Sequence, residues 1–244
     1  MLSIVKSMSL QGLEGYLIDV QVDVSAGMPS WQVVGLPDTS VKESNERVRT
    51  AIKNSGYEFQ SRKIVVNLAP ADIKKEGSFF DLPIAVGILL NFEEIKRQNL
   101  EDTIFIGELS LNGKLNHIKG VLPICIEAKK LGMKRIILPL ENAKEASIVE
   151  GLEVIGVKDL KQVVKFLNGK EKVIPQVANL EEFFNDNKQY AFDFSEVKGQ
   201  ENIKRALEVA AARSGTMCSL SGNPGSREDY DGKAYSIHIT RFNI

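Results

Sequence analysis

Alternation of apolar and polar residues marks the first strands of the chain. Between Leu17 and Val24, valines alternate with aspartate and glutamine, which is the period of a half-buried strand. A second short strand is predicted at Trp31–Gly35, after a glycine and a proline that favour a turn. A third follows at Lys63–Leu68. These stretches predict that the chain opens with a sheet.

Helical spacing of apolar residues separates these strands. Asp38 can cap a helix that ends near Gly56, where glycine suits a left-handed C-cap. Residues 70–77 are predicted to form a loop. Asp81 is then predicted to cap an apolar helix with Pro83 in its first turn, where a missing N–H costs little. That helix is expected to be buried.

In the second half of the domain, the predicted order of strands and helices changes. A hairpin is predicted from Ile104–Leu109 and Lys114–Asn116, because Asn112-Gly113 supplies the positive φ angles of a tight turn. Strands and helices then alternate, as helices at 124–131, 141–149 and 160–167 and strands at 135–138 and 152–156. Antiparallel strands followed by βα units predict a mixed sheet with helices, of α/β or α+β class.

Composition narrows the functional classes. The chain has 244 residues, with 31 Lys+Arg against 32 Asp+Glu, so its net charge does not indicate a nucleic-acid or membrane partner. The longest apolar run, Leu82–Leu90, is too short to span a bilayer, and a cytoplasmic location is expected. The cysteines (Cys125, Cys218) and histidines (His117, His238) have no metal-site or disulfide spacing, so no metal site is predicted.

A glycine-rich segment near the end of the chain begins like a phosphate-binding loop. Gly222-Asn-Pro224-Gly225-Ser226 has glycines that would let backbone N–H groups surround phosphates. A working loop continues with Gly-Lys-Ser/Thr, because lysine neutralises phosphate charge and the hydroxyl holds Mg²⁺. Here Arg227-Glu-Asp229 follows instead. We therefore predict that the chain cannot hydrolyse ATP by this route and that ATP binding is lost or weak.

Three segments carry a family resemblance: Gly35–Arg49, Asn67–Asp72 with Gly77–Pro83, and Asp193–Gln200. Together they resemble the Mg-chelatase-like AAA+ ATPase family of YifB/ComM type. The resemblance implies an N-terminal domain with the fold of the second domain of ribosomal protein S5, which the proteolytic domain of Lon shares. An ATPase module follows it in that family.

The resemblance also implies a domain organisation and partners. Residues 1–170 are expected to form the S5-like domain, 171–192 a linker, and 193–244 the truncated start of an AAA+ module. The residues assigned to a degenerate ATP site are Val197, Gly199, Gln200, Gly222, Pro224, Gly225 and Ser226. The family binds ATP and Mg²⁺, and its ComM-type members are hexameric motors that drive DNA branch migration. The present chain is expected to act at most as a binding or assembly domain.

A shifted reading frame can explain the broken loop. Synonymous codons can be chosen for Arg227–Thr240 so that the neighbouring frame reads GKTMMAKRIPYILP, which completes a phosphate-binding loop and its helix. Gly215–Ser221 can likewise be back-translated so that a neighbouring frame reads HNVLFI, a suitable buried strand. We hypothesise that frameshifts altered these segments and truncated the chain.

The Lon-like resemblance raises a peptidase alternative. Lon-type enzymes use a serine activated by a lysine. Placing Gly77 on the glycine of the Lon serine loop puts Phe79 at the nucleophile position, and the Lon lysine pattern puts Leu122 at the base position. No catalytic residue is therefore predicted. A shifted dyad of Ser78 and Lys119 is the alternative, against a turn serine and a surface lysine.

A stand-alone nucleic-acid-binding domain is the third hypothesis. Lys74 and Lys75 could meet phosphate in a binding loop, and a turn with two exposed lysines explains this segment equally well. The residues that could form a basic face are Arg47, Arg49, Lys53, Arg62, Lys63, Lys74 and Lys75. A mixed, solvated helix surface explains the same residues, because Glu43 and Glu46 lie among them.

Overall fold

A computed structural model describes residues 2–12, 14–96, 99–178, 199 and 201–212. The chain divides into two compact units, residues 1–180 and 181–244. In the first unit the strands are β1 (Leu2–Gln11), β2 (Glu14–Ser25), β3 (Ser30–Val34), β4 (Lys63–Ala69), β5 (Thr103–Phe105), β6 (Glu108–Leu109), β7 (Leu115–Asn116), β8 (Arg135–Pro139) and β9 (Glu153–Val157). The helices of that unit are α1 (Thr39–Lys42), α2 (Ser44–Asn54), α3 (Asp81–Asn91), α4 (Val121–Lys130), α5 (Leu140–Ala146) and α6 (Leu160–Leu167). The second unit contains α7 (Glu201–Ala212).

The first unit is built on a seven-stranded sheet in the order β3-β4-β2-β1-β5-β8-β9. Long antiparallel ladders join β1 to β2 and β2 to β4. The remaining pairs, β3 with β4, β1 with β5, β5 with β8 and β8 with β9, are parallel. The predicted mixed sheet with helices is therefore confirmed.

The apolar helix α3 forms the centre of the core. Every residue of α3 from Asp81 to Leu90 is buried, and the helix lies against β1 and β2. Gly87 permits this close approach, because a Cβ atom there would lie 2.6 Å from the Val22 side chain. On the other side of the sheet, α4 packs near Met8 in a second apolar cluster. The predicted burial of α3 is confirmed.

The division of the chain into strands and helices differs from the sequence predictions in three places. β1 has no counterpart among the predicted strands, although it pairs with β2 along its whole length. The helix predicted after Asp38 is two helices, because Glu43 ends α1 and precedes α2. The segment Ile104–Leu109 is also divided: β5 joins the main sheet, and only β6 pairs with β7 in the predicted hairpin.

The segment that follows α6 begins inside the first unit. Val173 packs against the core, and Gln176 N donates a 2.9 Å hydrogen bond to Val154 O on β9. The predicted linker, residues 171–192, therefore starts against the sheet, and its residues 179–192 lie outside the described part of the chain. The domain boundaries given above remain predictions.

Candidate functional site

The fold brings two of the three family-like segments together at one loop. Asp38 accepts a 2.7 Å hydrogen bond from Val41 N, which confirms its predicted capping role. Its second carboxylate oxygen accepts a 3.1 Å hydrogen bond from Gly77 N. Backbone hydrogen bonds from Asp38 N to Lys75 O and from Lys75 N to Leu36 O continue the contact. The loop that carries Gly77 and Ser78 is thus fixed to the start of α1.

An ion pair between a half-buried arginine and a buried aspartate also joins the same two segments. Arg47 Nε lies 2.7 Å from Asp81 Oδ2, and Arg47 Nη2 lies 3.0 Å from Asp81 Oδ1. Leu109 N donates a further hydrogen bond to the carboxylate. Asp81 is 1% exposed, so its charge is compensated by a two-pronged guanidinium and a backbone donor.

The predicted capping role of Asp81 is wrong. Phe80 occupies the N-cap position of α3, and no side chain caps that end. Asp81 is instead the first helical residue, where an acidic side chain is favourable, and it is turned towards Arg47 on α2. Burial raises the pKa of the Asp81 carboxyl to about 6, against the opposing effect of Arg47. This carboxylate therefore ties α3 to α2 and does not cap its own helix.

Ser78 donates its hydroxyl hydrogen bond to the Glu108 carboxylate at the start of the hairpin. Asn116 Nδ2 donates a 2.8 Å hydrogen bond to the other oxygen of Glu108. Partial burial raises the pKa of the Glu108 carboxyl, but hydrogen bonds from Ser78 and Asn116 and the charge of Arg47 outweigh it and lower the pKa. Glu108 is therefore a stable anion and a weak base. Its pairing with Asn116 follows from the predicted hairpin, whereas its contact with Ser78 has no local sequence signal.

Lys75 is buried, and the prediction that it is exposed is wrong. Its side chain is 0% exposed, and its ammonium group donates a hydrogen bond to Pro70 O within the same loop. Burial lowers the pKa of the Lys75 ammonium. Lys74 is exposed as predicted and forms a 2.6 Å ion pair with Glu76. Lys75 thus holds the loop from inside and cannot bind phosphate on its surface.

The two positions that the Lon-like resemblance assigns to a dyad hold half-buried apolar side chains, Phe79 and Leu122. Phe79 is half-buried, and its ring centroid lies 4.6 Å from that of Phe80. Leu122 is half-buried in the first turn of α4. Of the alternative pair, Lys119 is exposed, and Ser78 bonds to a carboxylate. Among the described residues, no lysine ammonium is hydrogen-bonded to Ser78.

The predicted basic face loses two members. Arg47 is engaged with Asp81, and Lys75 is buried. Five exposed members remain. Lys74 is paired with Glu76, whereas Arg49, Lys53, Arg62 and Lys63 form no ion pair within the described part of the chain. The guanidinium carbon of Arg49 lies 5.7 Å from the centre of the Phe59 ring. These four unpaired cations lie on α2 and at or just before the start of β4.

Most of the predicted nucleotide site lies outside the described residues. This applies to Val197, Gln200, Gly222, Pro224, Gly225 and Ser226. Gly199 is described and has a φ of +77°, a conformation that suits glycine. The helix α7 begins two residues after it. The assignment of these residues to a nucleotide site stays a prediction.

Within the ranges that the structure describes, no group of three or more His, Cys, Asp or Glu side chains could hold a metal ion. None of the helices in those ranges is long and apolar enough to cross a membrane. Cys125 is buried, and burial raises the pKa of its thiol to about 12, so it is not a reactive thiolate.

Comparison with known proteins gives the family. The model of the family "subunit ChlI of Mg-chelatase" matches residues 20–142, which include both family-like segments at the loop. The chain belongs to this family. Competence protein ComM of Haemophilus influenzae is 38% identical over 227 residues, which cover 92% of this chain and 44% of ComM. Protein YifB of Escherichia coli K12 is 40% identical over 228 residues, covering 92% of this chain and 43% of YifB.

These values place the chain in the ChlI family among proteins of ComM and YifB type, as the resemblance implied. The chain spans less than half the length of these relatives. Lon protease 2 of Bacillus subtilis is a more distant relative, 29% identical over 168 residues that cover 62% of this chain and 30% of the protease.

Proposed function

We propose that this chain provides a non-catalytic binding or assembly module of a Mg-chelatase-like AAA+ ATPase. Membership of the ChlI family supports the ATPase origin. The contact between Ser78 and Glu108 is the observation that supports a non-catalytic role. The serine hydroxyl donates its hydrogen bond to this carboxylate, and the carboxylate is only weakly basic. The surrounding loop is fixed by Asp38 and Lys75. Such a loop suits the presentation of a rigid surface.

We propose further that the chain, as written, does not hydrolyse ATP. Arg227-Glu-Asp229 stands where a phosphate-binding loop needs a lysine and a hydroxyl, and its two carboxylates would repel phosphate. The family resemblance implies ATP and Mg²⁺ as cofactors of a complete ATPase, DNA as its substrate and a hexamer as its active form. The name of the Haemophilus relative, competence protein, fits a role with DNA. We assign these properties to a complete family member and not to this chain alone.

Nucleotide binding tests this proposal. The chain is compared with a version in which Arg227–Thr240 is replaced by GKTMMAKRIPYILP, with a fluorescent ATP analogue and Mg²⁺ in both titrations. We expect the unaltered chain to bind at least about 10-fold more weakly, because it lacks the lysine that meets the phosphates. Comparable binding by both versions would contradict the broken-site argument. Resequencing the locus tests the frameshift hypothesis separately.

The peptidase alternative is supported by the likeness to Lon protease 2. It predicts that a fluorophosphonate probe labels Ser78. We expect no labelling above the level of a Ser78→Ala variant, because the hydroxyl donates to Glu108 and no lysine among the described residues is hydrogen-bonded to it. Stoichiometric labelling at Ser78 would replace our proposal by the peptidase function.

A further inference from the structure

The outer edge of β3 has no partner strand among the described residues. In that part of the chain β3 is the last strand on its side of the sheet, and it pairs only with β4. No other backbone hydrogen bond reaches residues 30–34 within the described part of the chain. In a parallel pair, alternate residues of the outer strand direct their N–H and C=O groups away from the neighbour. These groups are available to a further strand.

β3 also lacks the features that usually protect a sheet edge. Its sequence, Ser30-Trp-Gln-Val-Val34, contains no proline and no charged residue. Trp31 and Val33 pack against the core, while Gln32 and Val34 are exposed on the other face. An added strand would therefore have one row of side chains beside Trp31 and Val33 and another beside exposed Val34.

A groove runs between this edge and the helices α1 and α2. One cavity of about 470 Å³ is lined by β3, Lys42 and Asn45. A second cavity of about 120 Å³ is lined by Arg49, Arg62 and Phe59. Trp31 and Asn45 line both, so the two cavities are adjacent. We call this surface the β3 groove.

The wall of the β3 groove is positively charged. Lys42, Arg49 and Arg62 are exposed and form no ion pair within the described residues, and Glu46 is the acidic residue among those that line the groove. Arg49 is positioned over the Phe59 ring, and Arg62 Nε donates a 2.8 Å hydrogen bond to Gln60. Three cations facing one carboxylate favour an anionic ligand.

We propose that the β3 groove binds an extended acidic peptide segment of a partner protein as an additional strand of the sheet. Its backbone pairs with the free edge of β3, and its acidic side chains, one residue in two, lie beside Lys42, Arg49 and Arg62. The intervening residues are apolar and lie against Val34. A peptide fits better than a nucleic acid, because only a peptide backbone offers the repeated N–H and C=O groups that complete the edge.

Trp31 allows direct measurement of this binding, because it is the only tryptophan of the chain and lies in the β3 groove. The full chain is titrated with a ten-residue peptide of alternating valine and glutamate while tryptophan fluorescence is recorded. Two peptides serve as controls: one of the same composition with its valines and glutamates in separate blocks, and one with lysine in place of glutamate. We expect both controls to bind at least about 10-fold more weakly. Equal binding by the block-ordered peptide would overturn the proposal.

N-methylated peptides test the backbone pairing without any change to the protein. Two versions of the alternating peptide carry N-methyl groups, one on all valines and the other on all glutamates. A strand at a sheet edge pairs through alternate residues, so one version should lose at least about 10-fold in affinity and the other should bind nearly as well as the parent. Equal binding by the two versions would contradict strand addition.

Charge reversal tests the groove wall. A variant with Lys42→Glu, Arg49→Glu and Arg62→Glu should bind the peptide at least about 10-fold more weakly. The matched control reverses three exposed lysines that follow β9, as Lys158→Glu, Lys161→Glu and Lys172→Glu, and should bind like the unaltered chain. Circular dichroism checks that both variants are folded. Equal weakening of peptide binding in both variants would overturn the proposal. Displacement of the peptide by oligo-dT, or by a second copy of the chain that binds the groove more tightly, would also overturn it.

Discussion

The two outermost strands of the sheet, β3 and β9, have the same length and opposite surroundings. β9 is buried from Val154 to Val157 and contacts both α5 and α6. Its outer edge accepts a hydrogen bond from Gln176 N, in the segment that follows α6. β3 alternates between half-buried and exposed residues and has no backbone partner beyond β4 within the described ranges. Among the described residues, one end of the sheet is closed by the chain itself, and the other has no partner.

This difference is already present in the two strand sequences. Glu153-Val-Ile-Gly-Val157 is almost entirely apolar, as is usual for a parallel strand covered on both faces. Ser30-Trp-Gln-Val-Val34 places Gln32 between apolar neighbours, as is usual for a strand with one covered face. The local pattern of apolar residues therefore indicates which faces of a strand are covered. It does not report whether an edge is covered, because Gln176 lies 22 residues beyond Val154.

The largest change in the free energy of unfolding is expected at Gly35, where β3 ends. Gly35 has a φ of +99°, and a Cβ atom there would lie 2.2 Å from Leu68 O on β4. We expect Gly35→Val to lower the free energy of unfolding by about 4 kcal/mol, because the neighbouring backbone cannot move aside. Urea unfolding followed by Trp31 fluorescence measures this change.

Gly27, before β3, provides the matched control. It also has a positive φ, +145°, but a Cβ atom there would meet no atom within 4 Å. Gly27→Val should therefore lower the free energy of unfolding by about 1 kcal/mol, from backbone strain alone. If the two substitutions cost the same, then β3 is not held closely against β4, and the contrast between its closed inner side and open outer side fails.

The next prediction compares the two edge strands directly. Ile155 on β9 is fully buried, whereas Val34 on β3 is 46% exposed. Ile155→Ala should lower the free energy of unfolding by about 3 kcal/mol, because it leaves a cavity in the core. Val34→Ala should change it by less than about 0.5 kcal/mol. Urea unfolding of both variants measures the difference, and a cost at Val34 close to that at Ile155 would show that the β3 edge is covered in solution.

Much of this fold could be predicted because its elements are locally encoded. The strand predicted at Lys63–Leu68 and the helix predicted at 160–167 follow from their local sequence, and the structure places both within a residue of the prediction. Asp159 accepts a hydrogen bond from Gln162 N, as a helix cap should. The missed strand β1 has polar residues at Ser7 and Ser9 that are buried in the fold, which obscures its apolar pattern.

The candidate site was less predictable because its contacts connect distant residues. Asp81 has the local sequence of a helix cap, but its partner Arg47 lies 34 residues away. Lys75 has the sequence of an exposed turn lysine, and only the folded loop brings Pro70 O to its ammonium group. Ser78 and Glu108 are separated by 30 residues. Local propensity cannot indicate which of several nearby polar residues a distant side chain will contact.

A smaller change in the free energy of unfolding, about 2 kcal/mol, is expected when Asp81 titrates. Asp81 holds α2, the helix beside the β3 groove, through its ion pair with Arg47. Burial raises the pKa of Asp81 from 3.8 to about 6, so the folded state binds its proton more tightly than the unfolded state does. The resulting stabilisation is complete below pH 3.8 and is lost as the pH rises through 6. The contribution of Asp81 to the free energy of unfolding should therefore fall by about 2 kcal/mol between pH 4.5 and pH 7.

Asp81→Asn supplies the control for this titration. Urea unfolding is measured at both pH values for the unaltered chain and the variant, and the difference between the two pH dependences isolates Asp81. We expect the unaltered chain to lose more stability than the variant as the pH rises. A difference of the opposite sign would mean that Arg47 outweighs burial and lowers the pKa of Asp81 in the folded state.

The smallest effect is expected at the covered edge. Gln176→Pro removes the N–H group that donates to Val154 O and should lower the free energy of unfolding by about 1 kcal/mol. Gln176→Ala keeps that N–H group, and its exposed side chain contributes little, so its stability should stay within about 0.5 kcal/mol of the unaltered chain. Amide exchange at β9 should accelerate in the proline variant alone, because the cover of this edge depends on the backbone of Gln176. If exchange at β9 is unchanged in both variants, the segment after α6 does not close this edge, and β3 and β9 are equally open.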